Sequence, residues 1–165
     1  MGSGKSSVGR ELPSLLSLPG GPFDFIDLDE YIVESEGMSV NEIFAREGED
    51  GFRSIETRCL ETLLERYEGK NLVLALGGGT AVYNSSAVHG KTTCFYLSAS
   101  TDTLMQRLQG DATRPLLRGG NLRATIEALQ AAREEIYMKT AHHIISTDGL
   151  SVREIASEIA ATPFR

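Results

Sequence analysis

Short apolar runs alternate along this chain with longer amphipathic segments, and this alternation limits the fold more than any other feature. The run Leu72–Leu76 is apolar without interruption, which is typical of a parallel strand covered on both faces. The segment from Phe52 to Tyr67 repeats apolar residues every three or four positions, as an amphipathic helix does. Strands that alternate with helices predict an α/β fold with a mainly parallel sheet.

The same pattern divides the rest of the chain. The predicted strands are Phe23–Asp27, Leu72–Leu76, Thr92–Leu97 and His143–Ser146. The predicted helices are Ser6–Leu18, Tyr31–Gly37, a segment beginning at Ser39, Phe52–Tyr67, Thr101–Leu108, Leu122–Thr140 and Ser151–Ala160. Ser39 and Glu42 have the spacing of a capping box, and a break is expected around Gly48–Gly51. Residues 109–121 contain three glycines and a proline, which predict a mobile loop.

Length, charge and cysteine content exclude several classes of protein. The 165 residues are enough for one domain, so we expect residues 1–165 to form a single unit. A formal net charge of −7 argues against a general nucleic-acid-binding protein. No apolar run approaches the roughly 20 residues of a membrane span, and no secretory signal is expected. Cys59 and Cys94 lack metal-site spacing, so we expect core thiols in a reducing cytoplasm. We also expect a monomer.

Residues 2–6, Gly-Ser-Gly-Lys-Ser, form the second half of the phosphate-binding loop pattern GxxxxGK[ST]. The two glycines allow the backbone to curl and to aim successive N–H groups at phosphate oxygens. Lys5 is expected to reach the β- and γ-phosphates, and the Ser6 hydroxyl is expected to bind Mg²⁺. A helix beginning at Ser6 would point its positive dipole end at the same anion. The alternative is a flexible Gly/Ser segment, which the helix directly after it disfavours.

Two further motifs follow predicted strands, where ligands bind in open α/β sheets. Asp27 and Asp29 end the first strand, and a period of two predicts that both side chains lie on one face. Phosphoryl transfer needs one carboxylate near Mg²⁺ and one that orients the attacking hydroxyl. Gly77–Gly79 follow the second strand, and their bare backbone would let a ligand approach closely. The alternatives are two solvated turn aspartates and a tight glycine turn.

Taken together, the motifs of this chain resemble those of the shikimate kinase family. They occur in the family's order: Gly2–Arg10, Ile26–Asp29, Ile43–Phe44, Gly48 with Gly51–Arg53, Gly77–Gly79, Arg114–Leu117, and Arg133 with Tyr137. The resemblance extends from Met1 to the end of the chain. It implies a three-layer P-loop kinase fold and ATP-dependent phosphorylation of the 3-hydroxyl of shikimate. That reaction yields shikimate 3-phosphate in aromatic amino-acid (chorismate) biosynthesis.

The resemblance also implies roles for individual residues. Nucleotide binding falls to Gly2, Ser3, Gly4, Lys5, Ser6, Ser7, Arg107 and Arg114, and Mg²⁺ binding to Ser6 and Asp27. Substrate binding falls to Asp29, Phe44, Phe52, Arg53, Gly77, Gly78, Gly79 and Arg133. Lys5, Asp29 and Arg114 are the implied catalytic residues. Residues of about 30–68 would form the substrate-binding helical segment, and residues 109–121 would form a lid that closes over the phosphates.

The chemistry of the expected substrate agrees with these residue types. Shikimate is a small carboxylate with a hydroxylated ring, so its site needs both cations and hydrogen-bond acceptors for hydroxyl groups. An arginine donates two parallel hydrogen bonds to a carboxylate. Arg53 and Arg133 therefore favour shikimate over a neutral substrate. Another small-metabolite kinase of the same fold, such as a gluconate kinase, is the alternative.

The start of the chain departs from the family pattern. The first glycine of the loop motif and the strand before the loop would both precede Met1. In the implied strand order 2-3-1-4-5, that strand lies in the middle of the sheet. Its absence would leave Leu72–Leu76 and Thr92–Leu97 with unpaired edges. We expect Met1 to be an internal methionine of the loop; a truncated P-loop protein that binds nucleotide without turnover is the other alternative.

Overall fold

The computed structural model describes residues 2–108 and 121–164. Its strands are β1 (Asp24–Asp27), β2 (Leu72–Ala75), β3 (Phe95–Ser98) and β4 (His143–Ser146). Its helices are α1 (Lys5–Glu11), α2 (Leu28–Glu36), α3 (Val40–Arg66), α4 (Thr80–Tyr83), α5 (Ser85–Lys91), α6 (Thr101–Leu108), α7 (Leu122–Thr140) and α8 (Val152–Ala161). The predicted α/β alternation is confirmed. None of the helices in this described part is long and apolar enough to span a membrane.

The four strands form two separate parallel pairs. β1 pairs with β2, and β3 pairs with β4. Ser6 bonds to Asp27 at the end of β1, while Arg107 bonds both to Gly2 and to Thr147 just after β4. Because each pair is parallel, the carboxyl ends of all four strands lie on the side of residues 2–6.

A cleft separates β2 from β3. Its volume is about 760 Å³, and it is lined by both strands together with α1 and α7. Among the described residues, no strand lies between the two pairs. The expectation that the second and third predicted strands lack a common neighbour is therefore confirmed for this part of the chain.

Each strand pair has its own apolar core, and α1 packs against both. The core beside β1 and β2 contains Leu28, Ile32, Ile43, Phe52, Cys59, Leu60, Leu63 and Val88. The core beside β3 and β4 contains Val8, Leu12, Leu97, Ile145, Ile155, Ala156 and Ile159. Gly9 brings α1 against the other pair as well, because a Cβ there would lie 2.5 Å from the Phe25 ring. α1 is thus the element that joins the two halves beneath the phosphate loop.

Helix ends follow local sequence in most places. Ser39 and Glu42 form the predicted capping box, with Ser39 N donating to Glu42 Oε2 at 2.8 Å. The expected break is at Gly48, whose φ of 69° interrupts α3 before the helix resumes. The first helix is shorter than predicted: α1 ends at Glu11, and a 3₁₀ helix ends at Ser14. Pro13 explains this, since it cannot donate the backbone hydrogen bond that continues an α-helix.

Two parts of the prediction were wrong or incomplete. The third strand begins at Phe95 and not at Thr92, because α5 runs to Lys91 and Thr92 is its C-cap. Residues 80–91 form α4 and α5, for which the sequence predicted no element. Val88 is the one apolar residue of α5 that is fully buried, so this stretch has no apolar repeat to reveal it.

Candidate active site

The phosphate loop begins the described chain and leads into α1. Gly2 and Gly4 have φ values of 71° and 87°, a conformation that residues with a side chain rarely adopt. Gly4 is the N-cap of α1, and its carbonyl accepts the first helical hydrogen bond from Val8 N. Lys5 is the first residue of the helix. This backbone has the alternating handedness of an anion-binding nest.

Ser6 lies beside Asp27 at the end of β1. The Ser6 hydroxyl donates to Asp27 Oδ2 at 2.5 Å, so two hard oxygen donors are adjacent. Within residues 2–108 and 121–164, no group of three or more His, Cys, Asp or Glu could enclose a metal alone. Mg²⁺ is usually held by one or two carboxylates together with substrate phosphates and water. The pair therefore fits Mg²⁺ in the presence of a nucleotide and does not fit a metal held by protein ligands alone.

Asp27 and Asp29 are close in space, but they do not lie two positions apart on one strand, as the sequence predicted. β1 ends at Asp27, which is the N-cap of α2, and Asp29 lies in the first turn of that helix. The Asp27 carboxylate accepts hydrogen bonds from Asp29 N at 3.0 Å and from Glu30 N at 3.4 Å. The prediction that both side chains lie on one strand face was wrong. The N-cap hydrogen bonds of α2 fix Asp27, and the first turn of the same helix places the Asp29 carboxylate beside Gly77.

The three glycines after β2 bring the predicted polar residues together. A Cβ on Gly77 would lie 2.9 Å from Asp29 Oδ1, and one on Gly78 would lie 3.4 Å from Arg133 Nη1. A Cβ on Gly79 would overlap the guanidinium of Arg53. A side chain at Gly77 or Gly79 would thus displace one of these groups, whereas one at Gly78 would contact Arg133. Residues from α2, α3 and α7 meet at this one turn.

Arg53 is held on several sides. Its Nη1 donates to Glu56 Oε2 at 2.8 Å, and its Nη2 lies 3.3 Å from Glu49 Oε1. Its guanidinium carbon lies 5.2 Å from the centre of the Phe52 ring and 4.7 Å from that of Tyr83. Burial acts to lower the pKa of Arg53, but Glu56 and Glu49 outweigh burial and raise it. The side chain is therefore a fixed cation, and its buried Nε has no hydrogen-bond partner within the described residues.

Glu56 is a site residue that the sequence reading missed. Its side chain is 1% exposed, and it accepts hydrogen bonds from both Arg53 and Thr80, the latter at 2.6 Å. A charged residue buried to this degree is rare unless it is paired. Its position three residues after Arg53, on the same side of α3, was the available signal.

Aromatic residues complete one wall of the site. Phe44 and Phe52, which the sequence placed there, are stacked with ring centres 4.6 Å apart. Tyr83 and Tyr137 were not assigned roles: Tyr83 covers Arg53, and the Tyr137 hydroxyl donates to the Gly78 carbonyl. Tyr137 thus fixes the middle of the glycine turn from α7.

The other residues predicted to bind the nucleotide lie in different environments. Arg107 is not directed into open space: it donates to Gly2 O at 3.3 Å, to Thr147 Oγ1 at 3.0 Å and to Thr147 O at 2.9 Å. Arg107 thereby ties α6 and the end of β4 to the phosphate loop. Ser3 is buried and Ser7 is exposed. Arg114 and nearly all of the predicted lid at 109–121 lie outside the described residues.

The fold and the site together define a class of protein: a P-loop kinase fold whose sheet also carries a glycine turn contacted by two arginines and a carboxylate. Comparison with known proteins identifies the family. The family described as shikimate kinase matches residues 1–162, and the chain belongs to this family.

Individual relatives agree with this assignment. The chain is 37% identical to the shikimate kinase of Legionella pneumophila (strain Corby) over 161 residues, 96% of this chain and 87% of that protein. It is 35% identical to the shikimate kinase of Francisella tularensis subsp. holarctica, over 97% of this chain and 88% of the relative. A solved structure of Acinetobacter baumannii shikimate kinase in complex with shikimate matches with a TM-score of 0.85. That match has 36% identity over 96% of this chain and 86% of the other.

Proposed function

We propose that the protein transfers the γ-phosphoryl group of ATP to the 3-hydroxyl of shikimate. The observation that carries the proposal is the meeting of Asp29, Arg53 and Arg133 at the glycine turn Gly77–Gly79. Two cations beside one carboxylate suit a small substrate that has both a carboxylate and hydroxyl groups. The structure of the Acinetobacter baumannii relative with shikimate bound supports the same choice.

Arg133 and Arg53 would bind the substrate carboxylate. Arg53 uses its two terminal nitrogens on Glu56 and Glu49, and its buried Nε is a donor that has no partner among the described residues. A carboxylate in front of the glycine turn would pair with the Arg53 cation at Gly79 and would meet Arg133 across Gly78. A neutral substrate would have no use for two arginines here; gluconate is also a carboxylate, so the assay below distinguishes it from shikimate. The apolar pair Phe44 and Phe52 would pack against the ring.

The phosphate loop would hold the nucleotide. The backbone of Gly2–Gly4 would donate N–H groups to the phosphates, and Lys5 would neutralise charge that develops on the transferred group. Ser6 and Asp27 would hold Mg²⁺, which supplies further neutralisation of the β- and γ-phosphates. Asp29, with its carboxylate against Gly77, would accept a hydrogen bond from the attacking hydroxyl and orient it.

Several parts of the proposal rest on the family resemblance alone. These are nucleotide contacts from Ser7, Arg107 and Arg114, closure of residues 109–121 as a lid, and the use of residues of about 30–68 as the substrate-binding segment. That residues 1–165 act as one domain, as a monomer and in the cytoplasm also stays a prediction.

Shikimate-dependent release of ADP tests the function directly. We expect the purified chain with ATP and Mg²⁺ to release ADP only when shikimate is present. Gluconate in place of shikimate should give no turnover above background. Binding of ATP without any release of ADP would support the alternative of a nucleotide-binding protein without turnover, and release independent of shikimate would contradict the proposal.

Arg133→Ala should weaken shikimate binding and leave ATP binding nearly unchanged. Loss of a charged hydrogen-bond donor costs roughly 1.5–3 kcal/mol, so kcat/KM for shikimate should fall by about 10- to 150-fold. The KM for ATP should change by less than about twofold, because Arg133 faces the glycine turn and not the phosphate loop. Arg123→Ala is the matched control on α7, since Arg123 pairs with the surface residues Asp102 and Glu127. Equal losses in the two variants would contradict the assigned role.

Tyr83→Leu should weaken shikimate binding through Arg53. The exposed Tyr83 ring covers the guanidinium, and a cation–π contact of this kind is worth roughly 0.5–1 kcal/mol, or about two- to fivefold in the KM for shikimate. Tyr83→Phe keeps the ring and loses only the 3.4 Å hydrogen bond to Glu49, so it should retain most of the affinity. If both variants lost the same affinity, the ring would not be the cause.

A further inference from the structure

Tyr137 extends from α7 to the backbone of the glycine turn. Its hydroxyl donates a hydrogen bond to the Gly78 carbonyl. A Cβ on Gly78 would lie 3.6 Å from the Tyr137 oxygen and 3.4 Å from Arg133 Nη1. Arg133 lies one helical turn before Tyr137, so both side chains reach the turn from the same face of α7. Gly78 therefore receives both a hydroxyl group and a guanidinium group from this helix.

The three glycines do not by themselves fix the conformation of the turn. None of Gly77, Gly78 and Gly79 has a positive φ, so close approach rather than backbone conformation explains the glycines at 77 and 79. Glycine nevertheless has the widest choice of backbone conformations. The peptide between Gly78 and Gly79 has a glycine on either side, and neither of them restricts its rotation. A contact from outside the turn is therefore needed to hold this peptide in one orientation.

The Gly78 carbonyl and the Gly79 N–H belong to this one peptide. The described residues contain no cis peptide bond, so the two groups point in opposite directions. While the carbonyl is bonded to Tyr137, the N–H is directed away from that hydroxyl. No backbone carbonyl of the described residues accepts a hydrogen bond from the N–H of Gly79, which is a buried residue. This N–H is thus a donor for an anion bound at the turn, whereas a flipped peptide would present an oxygen to that anion.

We propose that Tyr137 is a positioning residue for shikimate, whose hydroxyl holds the Gly78–Gly79 peptide in the orientation that donates to the substrate carboxylate. The inference rests on the proposed function, since it takes shikimate as the ligand. Only molecules with the peptide in this orientation bind at full affinity, so the apparent Kd rises as their fraction falls. The Tyr137 ring also packs against that of Tyr96, with ring centres 5.2 Å apart. The hydroxyl can therefore be removed while the packing of the ring is kept.

Tyr137→Phe tests the inference in the full chain, with shikimate binding measured by calorimetry in the absence of ATP. Loss of one neutral hydrogen bond should raise the Kd for shikimate by about 2- to 12-fold. The Kd for ATP, and kcat at saturating shikimate, should each change by less than about twofold, because the phosphate loop and the attacking hydroxyl are not affected. Tyr96→Phe is the matched control: it removes a hydroxyl from the neighbouring ring and leaves the hydrogen bond to Gly78 in place. It should change neither Kd.

Other results would overturn the inference. These are an unchanged Kd for shikimate in Tyr137→Phe, equal losses in the two variants, a parallel loss of affinity for shikimate and ATP, or an unmodified chain that does not bind shikimate. ADP release by the unmodified chain is measured separately. Shikimate binding that Tyr137→Phe weakens, without any release of ADP, would contradict the proposed function and support the positioning role. Turnover of shikimate with the same Kd in both chains would do the reverse.

Discussion

Lys5→Met should lower kcat for shikimate phosphorylation by about 10²–10³-fold, the loss seen when one preorganised charge-stabilising donor is removed. Lys5 is the first residue of α1, directly after the left-handed Gly4, so its ammonium group belongs to the phosphate loop. Charge shifts among the phosphate oxygens in the transition state, and a cation fixed there stabilises that state. Methionine keeps the apolar stem of the side chain, so folding should be little changed. Steady-state rates of ADP release measure the effect.

Lys139→Met is the control for this prediction. Lys139 is an exposed lysine on α7 that pairs with Glu135 one helical turn away. An exposed pair of this kind contributes roughly 0.3–0.5 kcal/mol, so neither stability nor kcat should change measurably. A kcat for Lys5→Met within a few-fold of the unmodified chain would rule out the assigned role of the loop lysine. A loss of folded structure in Lys5→Met, seen by circular dichroism, would also contradict the prediction.

Arg53→Met should destabilise the fold as well as impair substrate binding. The substitution leaves Glu56 as a carboxylate that is 1% exposed and that retains only Thr80 as a partner among the described residues. Removal of one partner from a buried ion pair costs about 3–5 kcal/mol, because the other charge stays buried and uncompensated. Domains of this kind are stable by only about 5–15 kcal/mol in total. Denaturant unfolding followed by circular dichroism measures the loss.

Arg58→Met on the same helix is the matched comparison. Arg58 pairs with Glu36, but its side chain is 63% exposed, so this pair should contribute about 0–1 kcal/mol. Arg53→Met with Glu56→Leu should recover part of the lost stability, since the unpaired charge is then gone. The double variant should still fail to bind shikimate. A loss of stability in Arg53→Met no greater than in Arg58→Met would show that Glu56 does not need its partner.

Local sequence predicted most of the elements and the motifs of the site. The capping box at Ser39 and Glu42 depends on side chains three residues apart, and the break at Gly48 depends on one residue. The end of α1 could also have been predicted, because Pro13 acts on its own helix. The short helices α4 and α5 could not be, since residues 80–91 have no apolar repeat and are positioned by contacts with α3 and α7.

Tertiary structure decided how the motif residues meet. The sequence identified Asp29, Arg53 and Arg133 as candidates, but these residues lie on α2, α3 and α7, and their contact at Gly77–Gly79 depends on how those helices pack. Glu56 was overlooked for the same reason: a glutamate on an amphipathic helix is normally solvated, and only packing against Thr80 and Arg53 shows that this one is buried.

By itself, the sequence determined the class of fold, the phosphate loop and the family, since all three depend on residue types at fixed short spacings. The tertiary structure decided which side chains face one another, and it divided the four strands into two pairs with an apolar cleft between them. The physical reason is that strand pairing is a contact between distant segments. A strand's own residues specify that it is apolar and extended, but which edges find a partner depends on the segments that pack beside it.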